Sequence, residues 1–176
     1  SVSPRITPSA EQEVQFNASF RYEMAALLSQ SVPYVRHGDS IAAANWAAAD
    51  SLLESTLIRL RSMHQFFTNK RTKGDAIAAD LAPAWQPRPV MRSRDYRHIG
   101  KRVAHLTYSR PVEPTWPIGE MVGKALRNGL DYMEVVGCDS REGWSELFEA
   151  IELERSTWGD LDQAAASTDQ HARRPS

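Results

Sequence analysis

Cysteine is almost missing from this chain: a single thiol, Cys138, stands among 176 residues. One thiol closes no internal disulfide, and a cysteine-based zinc site needs several. Cys138 itself reads as an ordinary helix-end residue. Long apolar runs are missing as well. No stretch approaches the roughly 18–20 apolar residues of a membrane-spanning helix, and the first residues lack the basic-then-apolar layout of a secretory signal. A soluble, cytoplasmic protein with no membrane association is therefore expected. There is no Gly-rich phosphate loop, no H-E-x-x-H helix, no G-x-S-x-G elbow and no EF-hand loop. Walker-type nucleotide hydrolysis is thereby disfavoured, and no cofactor or metal is expected. Strand-like alternation of apolar and polar residues is absent throughout, as is any internal repeat.

What is present is an ordinary globular composition, 41% hydrophobic and 24% charged, with a formal net charge of −1. That near-zero sum hides a segregation along the chain. Residues 1–58 hold 3 basic and 6 acidic residues, residues 59–110 hold 12 and 3, and residues 111–176 hold 6 and 13. The net charges are −3, +9 and −7. A basic middle is where an anionic partner is sought first.

Apolar spacing predicts helices. Thr7-Pro8-Ser9 resembles a helix start, and Val14, Phe20, Met24, Leu27 and Leu28 recur at the steps that line one helix face. Pro33 and Gly38 are expected to end this helix, with Asp39 or Ser40 capping the next. Trp46, Leu53, Leu57, Leu60 and Phe67 form a sustained seam on the second helix. Residues 68–91, with Pro83, Pro87 and Pro89, read as a long connection containing a short helical turn at 75–81. A third helix is expected over 93–109, with Tyr96, Ile99, Val103 and Leu106 on its apolar face, a fourth over 118–136, and a shorter one over 140–158. The predicted fold is all-α, an antiparallel bundle of four to five helices with a long Pro-rich connection. One domain spans residues 10–158, between an arm at 1–9 and a loosely held tail at 159–176.

Candidate chemistry gathers on the third helix. His98, Arg102 and His105 lie at i, i+4 and i+7, with Lys101 beside them and Arg94 one turn earlier. A histidine exchanges protons near neutral pH, and an arginine fork grips phosphate. Metal-independent RNA cleavage needs that pairing: the 2′-hydroxyl attacks the adjacent phosphate, one group moves the protons, and a fixed cation stabilises the charge. On the second helix Glu54, Ile58, Arg61 and Gln65 follow at steps of 4, 3 and 4, so Glu54 and Arg61 face one way. Either they form an exposed pair, or Arg61 joins the basic stripe across a groove with Glu54 orienting it. His64 falls on the apolar seam and is expected in the core. A pocket lined by Trp85, Tyr108 and Trp116 is a further reading, against which aromatics in Pro-rich loops serve more often as packing plugs.

The run from Leu52 to Phe67, with R-x-x-x-x-F-F at Arg61 to Phe67, is followed by a basic, proline-containing connection. Then comes Gly100-Lys101-Arg102-Val103-Ala104-His105-Leu106-Thr107-Tyr108-Ser109-Arg110. Together these segments resemble the HEPN superfamily, and more narrowly bacterial members carrying an A-H-L-T helix. The resemblance spans about residues 45–110. It implies a helical bundle that dimerises and, in many members, an RNase of toxin–antitoxin or defence systems whose active site forms where two helices meet at the dimer interface. RNA, a second copy of the chain and an antitoxin-type protein are then the implied partners. The family's active pattern is Arg, four to six residues, then His. Residues 98–100, the places from which an arginine would serve His105, hold His98, Ile99 and Gly100, whereas Arg92 to His98 fits with five residues between. The A-H-L-T match favours His105 and the literal spacing favours His98. The expected catalytic set is His105, Arg102, Arg61 and His98, with Arg59, Arg94, Arg97 and Lys101 contacting phosphate. The alternative is a non-catalytic interaction domain, a homodimer whose basic segment is neutralised by the acidic 111–176 block.

Overall fold

The computed structural model describes residues 4–71, 75–104 and 116–136, together with Glu149 and Leu153. Five α-helices lie among them: α1 (Ala10–Ala44), α2 (Trp46–Phe67), α3 (Ala78–Leu81), α4 (Ser93–Ala104) and α5 (Ile118–Val135). No strand occurs among the described residues, so the chain is all-α there. None of its described helices is long and apolar enough to cross a membrane. Of the expected 140–158 helix only Glu149 and Leu153 are described, both helical. Its other residues, the 159–176 tail, Cys138 and the 105–109 end of the third helix lie outside the described residues.

Helix α1 starts where the sequence says it should. Ser9 caps it, its Oγ accepting the Gln12 N–H at 3.2 Å while Gln12 Oε1 accepts the Ser9 N–H at 2.9 Å. It does not end where expected. α1 continues through Pro33 and Gly38 to Ala44, and Asp39 and Ser40 lie inside it rather than at a cap. An interior proline forfeits one backbone bond and costs about 3 kcal/mol in isolation. Here Val32, Tyr34 and Val35 still pack against the core, and that burial offsets the penalty. The real break is Asn45, extended at φ −156°, ψ 93°. Its side chain accepts the Ala48 N–H at 3.2 Å and its own N–H reaches Ile41 O at 2.6 Å. One asparagine thus closes α1 and opens α2.

The two helices fold back on each other. Phe16 near the start of α1 stacks on Phe66 near the end of α2 at 5.3 Å. Buried positions of α1 are Phe20, Met24, Leu27 and Ser31. Val14, expected on that face, is 71% exposed, because it lies six positions before Phe20, off the three- and four-residue steps of the face, and Phe16 takes the place one turn earlier. Along α2 the seam Leu57, Leu60, Phe67 is buried as read, while Trp46, at the first residue beside the hinge, is 74% exposed. Beyond α2, Asn69 takes a left-handed φ of 54° and its Oδ1 accepts the Ala79 N–H at 3.0 Å, turning the chain toward α3.

Tyr132 of α5 is 1% exposed and stands at the centre of an aromatic cluster, 5.0 Å from Phe20, 5.1 Å from Phe66 and 5.7 Å from Trp85. Trp85 is a core plug. Its indole N–H donates to Phe67 O at 3.0 Å, and the Arg88 N–H donates to the same carbonyl at 2.8 Å, so the 82–91 loop satisfies the end of α2. A buried hub completes the frame: Arg71 grips both oxygens of Asp80 at 2.6 and 2.7 Å, and Asp80 also accepts the Ile6 N–H at 2.7 Å. The arm is therefore tied at residue 6. Helix α2 touches α1, α4 and α5, which makes it the axis on which the site below is built.

Candidate nucleic-acid interface

Arg61 and His64 are three residues apart on α2, and Tyr96 and Gly100 are four apart on α4, so each pair shares a stripe. The stripes face each other. The Arg61 guanidinium carbon lies 5.0 Å from the centre of the Tyr96 ring, the His64 ring 5.1 Å from it, and Lys70 Nζ, from the turn after α2, 5.9 Å. Two cations thus share one aromatic ring, an attraction worth about 0.5–1 kcal/mol each near the surface. Gly100 makes the approach close: a Cβ there would stand 3.4 Å from the Arg61 Cζ and Nη1. Arg61 is half-buried, its buried Nε–H has no hydrogen-bond partner, and no ion pair among the described residues involves it.

His64 is 3% exposed, as its place on the seam predicts. Burial, with Lys70 nearby adding to it, lowers its pKa from 6.5 to about 4. The imidazole is neutral at pH 7, and its Nδ1 accepts the Met91 N–H at a long 3.4 Å. Positive charge at this junction therefore comes from Arg61 and Lys70.

The outer face of α4 continues the basic character. Arg94, Arg97 and Lys101 are exposed and His98 is half-buried. Arg102 lies in α4 by its backbone. His105 and Tyr108 lie outside the described residues. Arg59, by contrast, points back to α1, pairing with Glu23, donating to Gln30 Oε1 at 2.8 Å and lying over the Tyr22 ring at 5.5 Å. Glu54 is half-buried on α2. Trp85 and Trp116, the aromatics of the pocket reading, are 5% and 8% exposed and belong to the core cluster.

Tyr96 was legible only as an apolar-face residue, and Lys70 only as part of a basic loop; their meeting with Arg61 was not. One signal did exist. A glycine in the middle of a helix often marks a close approach, and Gly100 marks this one. Among the described residues no group of three or more His, Cys, Asp or Glu side chains is arranged to hold a metal ion. Comparison with known proteins returned no match, whether to a family model, a curated protein or a solved structure.

Proposed function

We propose that this protein is a HEPN-like, RNA-binding antiparallel helical bundle that acts as a metal-independent endoribonuclease of the toxin or defence type, working as a homodimer. The observation that carries the reading is the α2–α4 junction. There Arg61 is held against Tyr96 and Gly100 with an unsatisfied Nε–H, beside a helix face bearing Arg94, Arg97 and Lys101. A guanidinium without a carboxylate partner is a ready phosphate ligand, since a phosphodiester supplies the acceptors it lacks.

In this reading His105 is the acid/base and Arg102 or Arg61 the phosphate clamp, with His98 the alternative proton carrier. The histidine takes the proton of the attacking 2′-hydroxyl, the oxygen adds to phosphorus, and the arginine holds the phosphorane oxygens. The 5′-oxygen then leaves and is protonated, giving a 2′,3′-cyclic phosphate. Incubating the protein with transfer RNA in EDTA tests this. Cleavage that leaves cyclic-phosphate ends and is lost in His105→Ala, with RNA binding retained, is the expected result; RNA unchanged by the wild-type protein removes the enzymatic claim.

A second reading has its own observation. Arg59, Arg71 and Arg88 of the basic segment pair with Glu23, Asp80 and Asp131, so part of that segment's charge is neutralised within the fold, although of these three acids only Asp131 comes from the acidic 111–176 block. That favours a non-catalytic interaction domain, with a second copy of the chain as partner. RNA affinity weaker than about 10⁻⁴ M at physiological salt would select it.

A further inference from the structure

At the other end of α2 lies an open pocket of about 720 Å³. The last turns of α1 and the first turns of α2 form its sides, and Trp116 and Ile118 contribute from the start of α5. The pocket exists because α1 runs past Pro33: its fully buried positions stop at Ser31, and the turns beyond carry Tyr34, His37 and Asp39 to the pocket wall. Three aromatic side chains line it. Trp116 is buried, Tyr34 half-buried, and Trp46 stands exposed. The charged lining is one cation, Arg36, against two carboxylates, Asp39 and Asp50.

Each property narrows the ligand. A volume within about 300–1,000 Å³ suits a small molecule or a single protruding group. Flat rings favour a planar one, and they give it a stacking surface in Trp46. Carboxylate and imidazole groups favour a hydrogen-bonding edge, while the excess of one carboxylate disfavours a phosphate and is too small to select a polycation. A nucleobase meets all of these conditions, since unpaired bases are recognised by stacking on aromatic side chains and by hydrogen bonds to their edges. Position adds a further reason. Asp50 and Arg61 are eleven residues apart on α2, about 16 Å along the axis and within about 20° around it. The pocket and the basic junction thus share one side of that helix.

We propose that this pocket receives one unpaired base of a single-stranded RNA whose phosphates lie on the α2–α4 basic face, an inference that rests on the RNA reading above. Trp46 stacks on the base, and Asp39 and His37 meet its edge.

The test measures two things on the full chain: fluorescence anisotropy of a labelled single-stranded RNA of about ten nucleotides, and quenching of tryptophan fluorescence by free nucleosides, which carry no phosphate. Trp46→Ala is expected to weaken RNA binding about tenfold, within the range for loss of one stacked base, without altering its salt dependence. Trp46→Phe, which keeps a ring, is expected to restore most of it. Nucleosides should quench the wild type and not Trp46→Ala. RNA binding that is indifferent to Trp46→Ala, with no quenching, overturns the pocket and leaves the RNA reading standing. Quenching without RNA binding supports the pocket and overturns the RNA reading, and the absence of both overturns the two together.

Discussion

His64 illustrates how a single side chain links packing to pH. With a pKa of about 4 in the fold, it refuses a proton that the unfolded chain accepts near pH 6.5. The sign follows from proton counting. Between about pH 6.5 and 4 the unfolded state binds more protons, so stability falls as pH falls; above 6.5 the contribution is complete and flat. The loss is at most about 3 kcal/mol. Denaturant titrations from about pH 7.5 down to 4 should show this decline in the wild type and a flatter profile in His64→Leu. A profile that does not differ between the two proteins would mean that His64 charges freely in the fold. Its placement on the Leu60–Phe67 seam was readable from spacing, and burial there is the main cause of the lowered pKa; the further lowering by Lys70 was not readable, because Lys70 approaches only once the turn at Asn69 has folded.

At the scale of elements, two helical glycines carry opposite expectations. A Cβ on Gly38 would meet only the Tyr34 ring, at an ordinary 3.7 Å, so Gly38→Ala should stabilise α1 by roughly 0.5–1 kcal/mol. A Cβ on Gly129 would stand 2.6 Å from Met24 Cε and 3.3 Å from its Sδ, and Met24 is fully buried. Gly129→Ala should therefore cost about 1–3 kcal/mol as the methionine is forced aside in a packed core. Denaturation midpoints of the two variants should move in opposite directions, and a rise for both would mean that Met24 has room to swing away. In the sequence the two glycines look alike. Similarly, Pro33 was a sound reason to end α1 by local preference, and tertiary packing of Val32, Tyr34 and Val35 overrode it.

For the whole molecule, the segregated charge is the property that matters for an anionic partner. Within the basic segment, Arg61, Lys70, Arg92, Arg94, Arg97 and Lys101 make no ion pair among the described residues, whereas Arg59, Arg71 and Arg88 do. The two groups should behave differently in an RNA titration. Replacing Arg94 and Arg97 together by alanine should reduce the slope of log K against log salt by about 1.4, since each phosphate contact on a single strand contributes about 0.7. Arg71→Ala should leave that slope alone and lower folding stability instead, because it leaves Asp80 buried without its cation. An unchanged slope in the double variant would place RNA on another surface.

The sequence by itself determined the helical class, the seam of α2, the Ser9 start of α1, the short turn before Leu81 and the core position of His64. All of these rest on local period and capping, which act over a few residues and need no partner. Only the tertiary structure decided that α1 outlasts its proline and that one asparagine makes the turn into α2. It also decided that Arg61 meets Tyr96 beside Gly100, and which arginines pair with acids from other helices. Those outcomes depend on which surfaces come together, and burial and ion pairing between distant segments are strong enough to outweigh the local preferences that the sequence displays.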